Sequence, residues 1–235
     1  MDTRPAQVWT DLKLPTARPQ DSNTAGRVDT AVAAFQQRLA ASGVGRCSEG
    51  TLQCWLAICL AEAFGPSRIA AEIGLDSDEF DAAPRVWRES VAHDRELGRS
   101  GRKSRLHNAK NRLETFHDLV VMGSEAVPGH SVAVGDVRAV IELKATNSAN
   151  LGAGIVRDDI RSVALTAGWM RATGRPDILP VTVVVATAPG RASTRAPDGE
   201  RIARWMTEHV PPGVRVYLVE PTGVRVGTTM SEATE

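Results

Sequence analysis

The sequence predicts an α/β protein in which a mixed central sheet is flanked by helices and preceded by a helical N-terminal extension. Three observations lead there. Stretches 116–122 (FHDLVVM) and 137–145 (VRAVIELKA) are rich in β-branched and apolar residues and read as two neighbouring antiparallel strands. The run 181–186 (VTVVVA) has no polar alternation, as a strand buried on both faces requires. Between them, 155–171 carries apolar residues at 155, 156, 160, 163, 164, 167 and 170, the period of a crossover helix.

The other elements follow in order. Residues 1–25 are polar, hold Pro5, Pro15 and Pro19 and show no sustained period, which predicts a flexible or partner-binding arm. In 28–41 the residues Val28, Val32, Phe35 and Leu39 share a helical face that closes before Gly43 and Gly45. Ser48 is placed to cap a second helix, which ends at Gly65-Pro66 and whose wide apolar stripe suits packing on a sheet. Segments 69–75 and 86–92 stand between strand and helix, with strand favoured for the second. A helix over 199–210 and a strand over 214–219 complete a single domain at 26–222, with its helical part at 26–65, and 223–235 reads as a tail.

Composition narrows the function. The 235 residues, 42% hydrophobic and 24% charged, suit a globular protein with a sizeable core. Apolar runs are far shorter than the roughly 20 residues of a membrane span, so no membrane partner is expected. Asp2, Arg4, Asp11 and Lys13 leave no apolar signal core, and a cytoplasmic location is expected. With 28 basic and 28 acidic residues, coating of nucleic acid by bulk charge is excluded, and local patches must decide the partner. Cys47, Cys54 and Cys59 lack the spacing of a zinc site and read as buried or half-buried thiols. Neither a phosphate loop nor a nucleophile elbow is present.

The chemistry gathers at one strand end. Glu142 and Lys144 are two residues apart on a strand and project to one face, so a carboxylate stands beside an ammonium. A chain reversal around Gly129-His130 sets Asp118 opposite Glu142. Two carboxylates meeting at a sheet edge repel unless a cation lies between them, and oxygen ligands suit Mg2+ or Mn2+. A lysine alongside suits the orientation of a water or the stabilisation of charge on a phosphate. The plain alternative is a surface ion pair at a strand end. His117 is expected on the opposite face from Asp118, in a structural role.

These residues carry a family resemblance. FHDLVVM, then AVIELKA, then a helix opening with RDDIRSVA and a buried VVVATA strand resemble the PD-(D/E)XK nuclease superfamily, over 47–220 in the order of elements. His117 stands where that motif usually has proline. The resemblance implies a restriction-endonuclease-like core and a Mg2+-dependent endonuclease (or one using Mn2+). In it Asp118, Glu142 and the carbonyl of Leu143 hold the metal, Lys144 is the catalytic lysine, and Glu49 in the first core helix is a further catalytic member. A glutamate in a first helical turn also simply suits the helix dipole. The implied substrate is nucleic acid, DNA favoured over RNA, in restriction, defence or repair, with a homodimer or a defence complex as the assembly.

The basic insertion at 95–112 has seven basic residues and one acid. On that reading Arg99, Arg102, Lys103, Arg105, Lys110 and Arg112 contact phosphates; the alternative is a solvated loop. For the whole chain the alternative function is a non-catalytic nucleic-acid-binding or regulatory module that keeps the nuclease fold.

Overall fold

The structure, a computed structural model, describes residues 7–11, 23–42, 47–75, 116–123, 131–132, 136–146, 163, 177–186 and 213–229. Among these residues, two α-helices pack on an eight-stranded mixed sheet. In chain order the elements are β1 (Gln7–Asp11), α1 (Thr24–Ala41), α2 (Glu49–Phe64), β2 (Ile69–Leu75), β3 (Phe116–Met122), β4 (Ser131–Val132), β5 (Val137–Thr146), β6 (Leu179–Ala186), β7 (Arg215–Glu220) and β8 (Gly223–Thr229). Across the sheet they run β1-β8-β7-β6-β5-β3-β2-β4.

Local chemistry explains both helices. Asn23 caps α1 by accepting the Gly26 N–H at 3.0 Å, so the helix starts at Thr24, four residues before the start that the apolar period suggests. Ser48 caps α2 as predicted, accepting the Thr51 N–H at 3.2 Å. Gly65 ends α2 with φ 100°, which costs glycine no steric strain, and its N–H donates to Ala61 O at 2.8 Å. The helices are tied together by Arg27, whose Nε donates to Ala63 O at 3.1 Å and whose guanidinium lies 4.4 Å from the Phe64 ring centre. Asp29 on α1 accepts from Arg215 Nε at 2.9 Å, fastening that helix to β7.

The core lies between helices and sheet. Leu52, Leu56 and Leu60 of α2 meet Leu119, Ile141, Leu143 and Val183 in one buried cluster. On the other face Val120, Val140, Val184 and Leu218 are also buried, so the central strands are apolar on both sides. β5, β6 and β7 run parallel, and β3 is antiparallel to β5. Leu119 pairs with Ile141 and Val121 with Ala139, the register that sets 118 against 142.

Three expectations are corrected. Residues 7–11, read as part of an arm, form β1 and pair with β8, because five residues between prolines are too few to show a period and their partner lies at the far end of the chain. The supposed tail at 223–235 contributes β8, a hairpin partner of β7 whose Val224 and Val226 alternate with Arg225. As expected, β3 and β5 are neighbouring antiparallel strands, and the short β4 between them in the chain pairs with β2. Cys54 is exposed, on the side of α2 turned from the core, while Cys59 is buried and Cys47 intermediate. Segment 69–75 is a strand, β2. The expected strand at 86–92, the basic insertion at 95–112 and the helices at 155–171 and 199–210 lie outside the described residues, save Val163, which is helical and buried. Among the described residues no helix is long and apolar enough to cross a membrane.

Candidate active site

The site forms where two strands stop pairing. The recorded ladder between β3 and β5 ends at Leu119 and Ile141, and the next residues on each strand are Asp118 and Glu142. Asp118 then takes over with its side chain: Oδ2 accepts the Leu143 N–H at 2.8 Å. In an extended strand a residue's N–H and C=O project to the same side, so the Leu143 carbonyl faces the same gap. The Glu142 carboxyl is near enough to act on the Asp118 carboxyl. Burial raises the Asp118 carboxyl above its ordinary range, opposed by the Leu143 N–H, the Lys144 charge and the Glu142 contact, and reinforced by the charge of Glu72.

Lys144 is held from the helix layer. Its Nζ donates to Glu49 Oε1 at 2.8 Å, and the Ala145 N–H donates to Glu49 Oε2 at 3.1 Å. The lysine side chain is 13% exposed and the glutamate 42%, so the ammonium is the more enclosed partner. Glu49 occupies the first turn of α2, where the helix dipole favours a carboxylate. It therefore reaches the constellation through Lys144 and the β5 main chain.

Three further residues belong here that the sequence reading passed over or set aside. Gln53, one turn after Glu49, donates from Nε2 to the Asp118 carbonyl at 2.9 Å and to Glu72 Oε1 at 3.0 Å. Glu72 on β2 has φ 50°, the only positive φ among the described residues other than glycine. Its neighbours Ala71 and Ile73 pair with Leu119 and His117, which sets Glu72 against Asp118. His117 is the third: its Nδ1 lies 3.0 Å from Glu142 Oε1, with both residues buried. His117 is expected on the face opposite Asp118, and its contact here is with the other acid, Glu142, just past the end of the β3–β5 ladder. Burial lowers the imidazole to about 4, so the ring is neutral. Spacing gave a signal only for Gln53, which shares a helix face with Glu49.

Among the described residues, four carboxylates (Glu49, Glu72, Asp118, Glu142) and one lysine are joined by these interactions, a charge balance that favours a cation. For a hard divalent ion the donors would be the Asp118 and Glu142 carboxylates and the Leu143 carbonyl, all oxygen. Among the described residues no group of three or more His, Cys, Asp or Glu side chains is arranged to hold a metal, so the main-chain oxygen is needed to complete such a set. Arg99, Arg102, Lys103, Arg105, Lys110 and Arg112 lie outside the described residues. Comparison with protein families, with curated proteins and with solved structures finds no match for this chain.

Proposed function

We propose that the chain is a Mg2+- or Mn2+-dependent nuclease that hydrolyses phosphodiester bonds, with DNA the favoured substrate. One observation carries the reading: the carboxyls of Asp118 and Glu142 meet beside Lys144 at the point where β3 and β5 part. The order α2, β2, β3, β5, β6, with the first three strands antiparallel and β6 parallel to β5, is in keeping with a restriction-endonuclease-like core. Asp118 and Glu142 would hold the cation with the Leu143 carbonyl. When bound, the ion supplies Lewis acidity toward water and phosphate. Lys144 places positive charge where it builds up on the phosphate oxygens or orients the attacking water. Glu49 holds that lysine in place, and the basic insertion at 95–112 supplies phosphate contacts. By analogy of fold the setting is restriction, defence against foreign DNA or repair in the cytoplasm, with two copies needed for duplex cutting.

A second reading has its own support. Lys144 is already paired with Glu49, and Glu142 with His117, as in a fold whose charged groups only hold structure. That reading is a non-catalytic nucleic-acid-binding or regulatory module. Incubation of plasmid, single-stranded DNA and RNA with the chain separates the two. Cleavage that requires Mg2+, stops with EDTA and is absent from Lys144→Ala supports the nuclease; binding without cleavage of any substrate supports the module.

A further inference from the structure

Glu142 is a buried carboxylate, only 4% exposed, and such a group needs donors in place of the water it has lost. His117 supplies one from a strand neighbour, at 3.0 Å and with 1% of its own surface exposed. An imidazole enclosed with only one nitrogen facing a hydrogen-bond partner is satisfied by a single N–H on that nitrogen. With that hydrogen on Nδ1, facing the carboxylate, Nε2 is left as a bare acceptor, and Nε2 is indeed buried with no hydrogen-bond partner among the described residues. The opposite tautomer would leave a buried N–H unpaired and set two acceptors against each other. Thr182, the cross-strand neighbour of Glu142 on β6, also has a buried hydroxyl without a partner among the described residues. Packing alone does not account for a histidine at 117, because an apolar ring would fill the space without stranding a nitrogen.

We propose that His117 is the positioning residue of Glu142, its Nδ1–H fixing one carboxylate oxygen so that the group is oriented toward Asp118 for cation binding. This rests on the metal-dependent reading above. Fixed orientation matters because small hard ions demand regular geometry, and losing a hydrogen bond that orients a ligand typically weakens metal binding by about 10- to 100-fold.

The test uses side chains that place an amide N–H at one ring nitrogen or the other. In His117→Asn the amide nitrogen falls near the position of Nδ1, in His117→Gln near that of Nε2, and His117→Phe has neither. Mn2+ titration calorimetry should find His117→Asn within about threefold of the wild-type affinity, and His117→Gln and His117→Phe weaker by about 10- to 100-fold, all three folded by circular dichroism. Equal affinity in all four chains overturns the proposal, as does an equal loss in Asn and Gln. If the variants do not fold, nitrogen NMR of the wild-type imidazole decides: a proton on Nδ1 is expected, and a proton on Nε2 overturns it. A wild-type chain that takes up no Mn2+ overturns this proposal together with the nuclease reading, whereas uptake indifferent to residue 117 overturns this one alone.

Discussion

The Asp118 carboxylate accepts the main-chain N–H of Leu143 at 2.8 Å, just beyond the Leu119–Ile141 pair that ends the ladder of β3 and β5. A side chain here replaces a ladder bond, so the strands can separate without leaving that amide unpaired. The same carboxylate is raised by burial and carries the charge that a cation would need. Structure and chemistry therefore make opposite demands on it, and substitutions can tell them apart.

Asp118→Asn keeps an oxygen to accept the Leu143 N–H but removes the charge. It should fold, with a melting temperature in EDTA equal to or slightly above wild type, and show no detectable cleavage. Asp118→Ala also loses the acceptor and should be less stable than Asp118→Asn by about 1 kcal/mol. Thermal unfolding and a plasmid assay on both variants check this.

Lys144→Ala should reduce turnover by at least about 100-fold. Glu49→Gln, which retains an acceptor while removing the charge, should cost less, about 10-fold in kcat with little change in KM, because it loosens the lysine without removing it. Equal losses in the two variants would place Glu49 among the groups that touch the reacting centre.

Acid stability should report on His117. The unfolded imidazole titrates near 6.5 and the folded one at about 4, so between these values the unfolded chain binds more protons. Stability is therefore full above pH 6.5 and falls as pH drops toward 4, by on the order of 3 kcal/mol if the whole shift is expressed. Urea unfolding in EDTA should show this slope in wild type and lose most of it in His117→Asn.

Thiol labelling tests the seating of α2. A native chain should react first at exposed Cys54, more slowly at Cys47, and at Cys59 only after unfolding, since that residue is 1% exposed and burial pushes its thiol to about 11. Rapid native labelling of Cys59 would contradict the packing of that helix face.

Much of this arrangement is legible in the sequence because it rests on local signals. Ser48 and Gly65 bracket α2, the unbroken VTVVVA marks a strand buried on both faces, and two strands folding back on each other set 118 against 142. What was hidden depends on residues far apart in the chain. β1 is a strand only because β8 pairs with it, and Glu72 is near Asp118 only because β2 lies beside β3. The link from Arg215 to Asp29 joins the two ends of the domain and leaves no local pattern. The contact of His117 with Glu142 likewise joins residues of two strands and leaves no local pattern.

The most direct test of the central claim is Mn2+ binding near neutral pH by the wild-type chain, Asp118→Asn and Glu142→Gln. Saturable binding by wild type, lost or weakened by at least about 10-fold in both variants, is the predicted result. Binding that is the same in all three chains, or no binding by wild type, would contradict a shared cation site between β3 and β5.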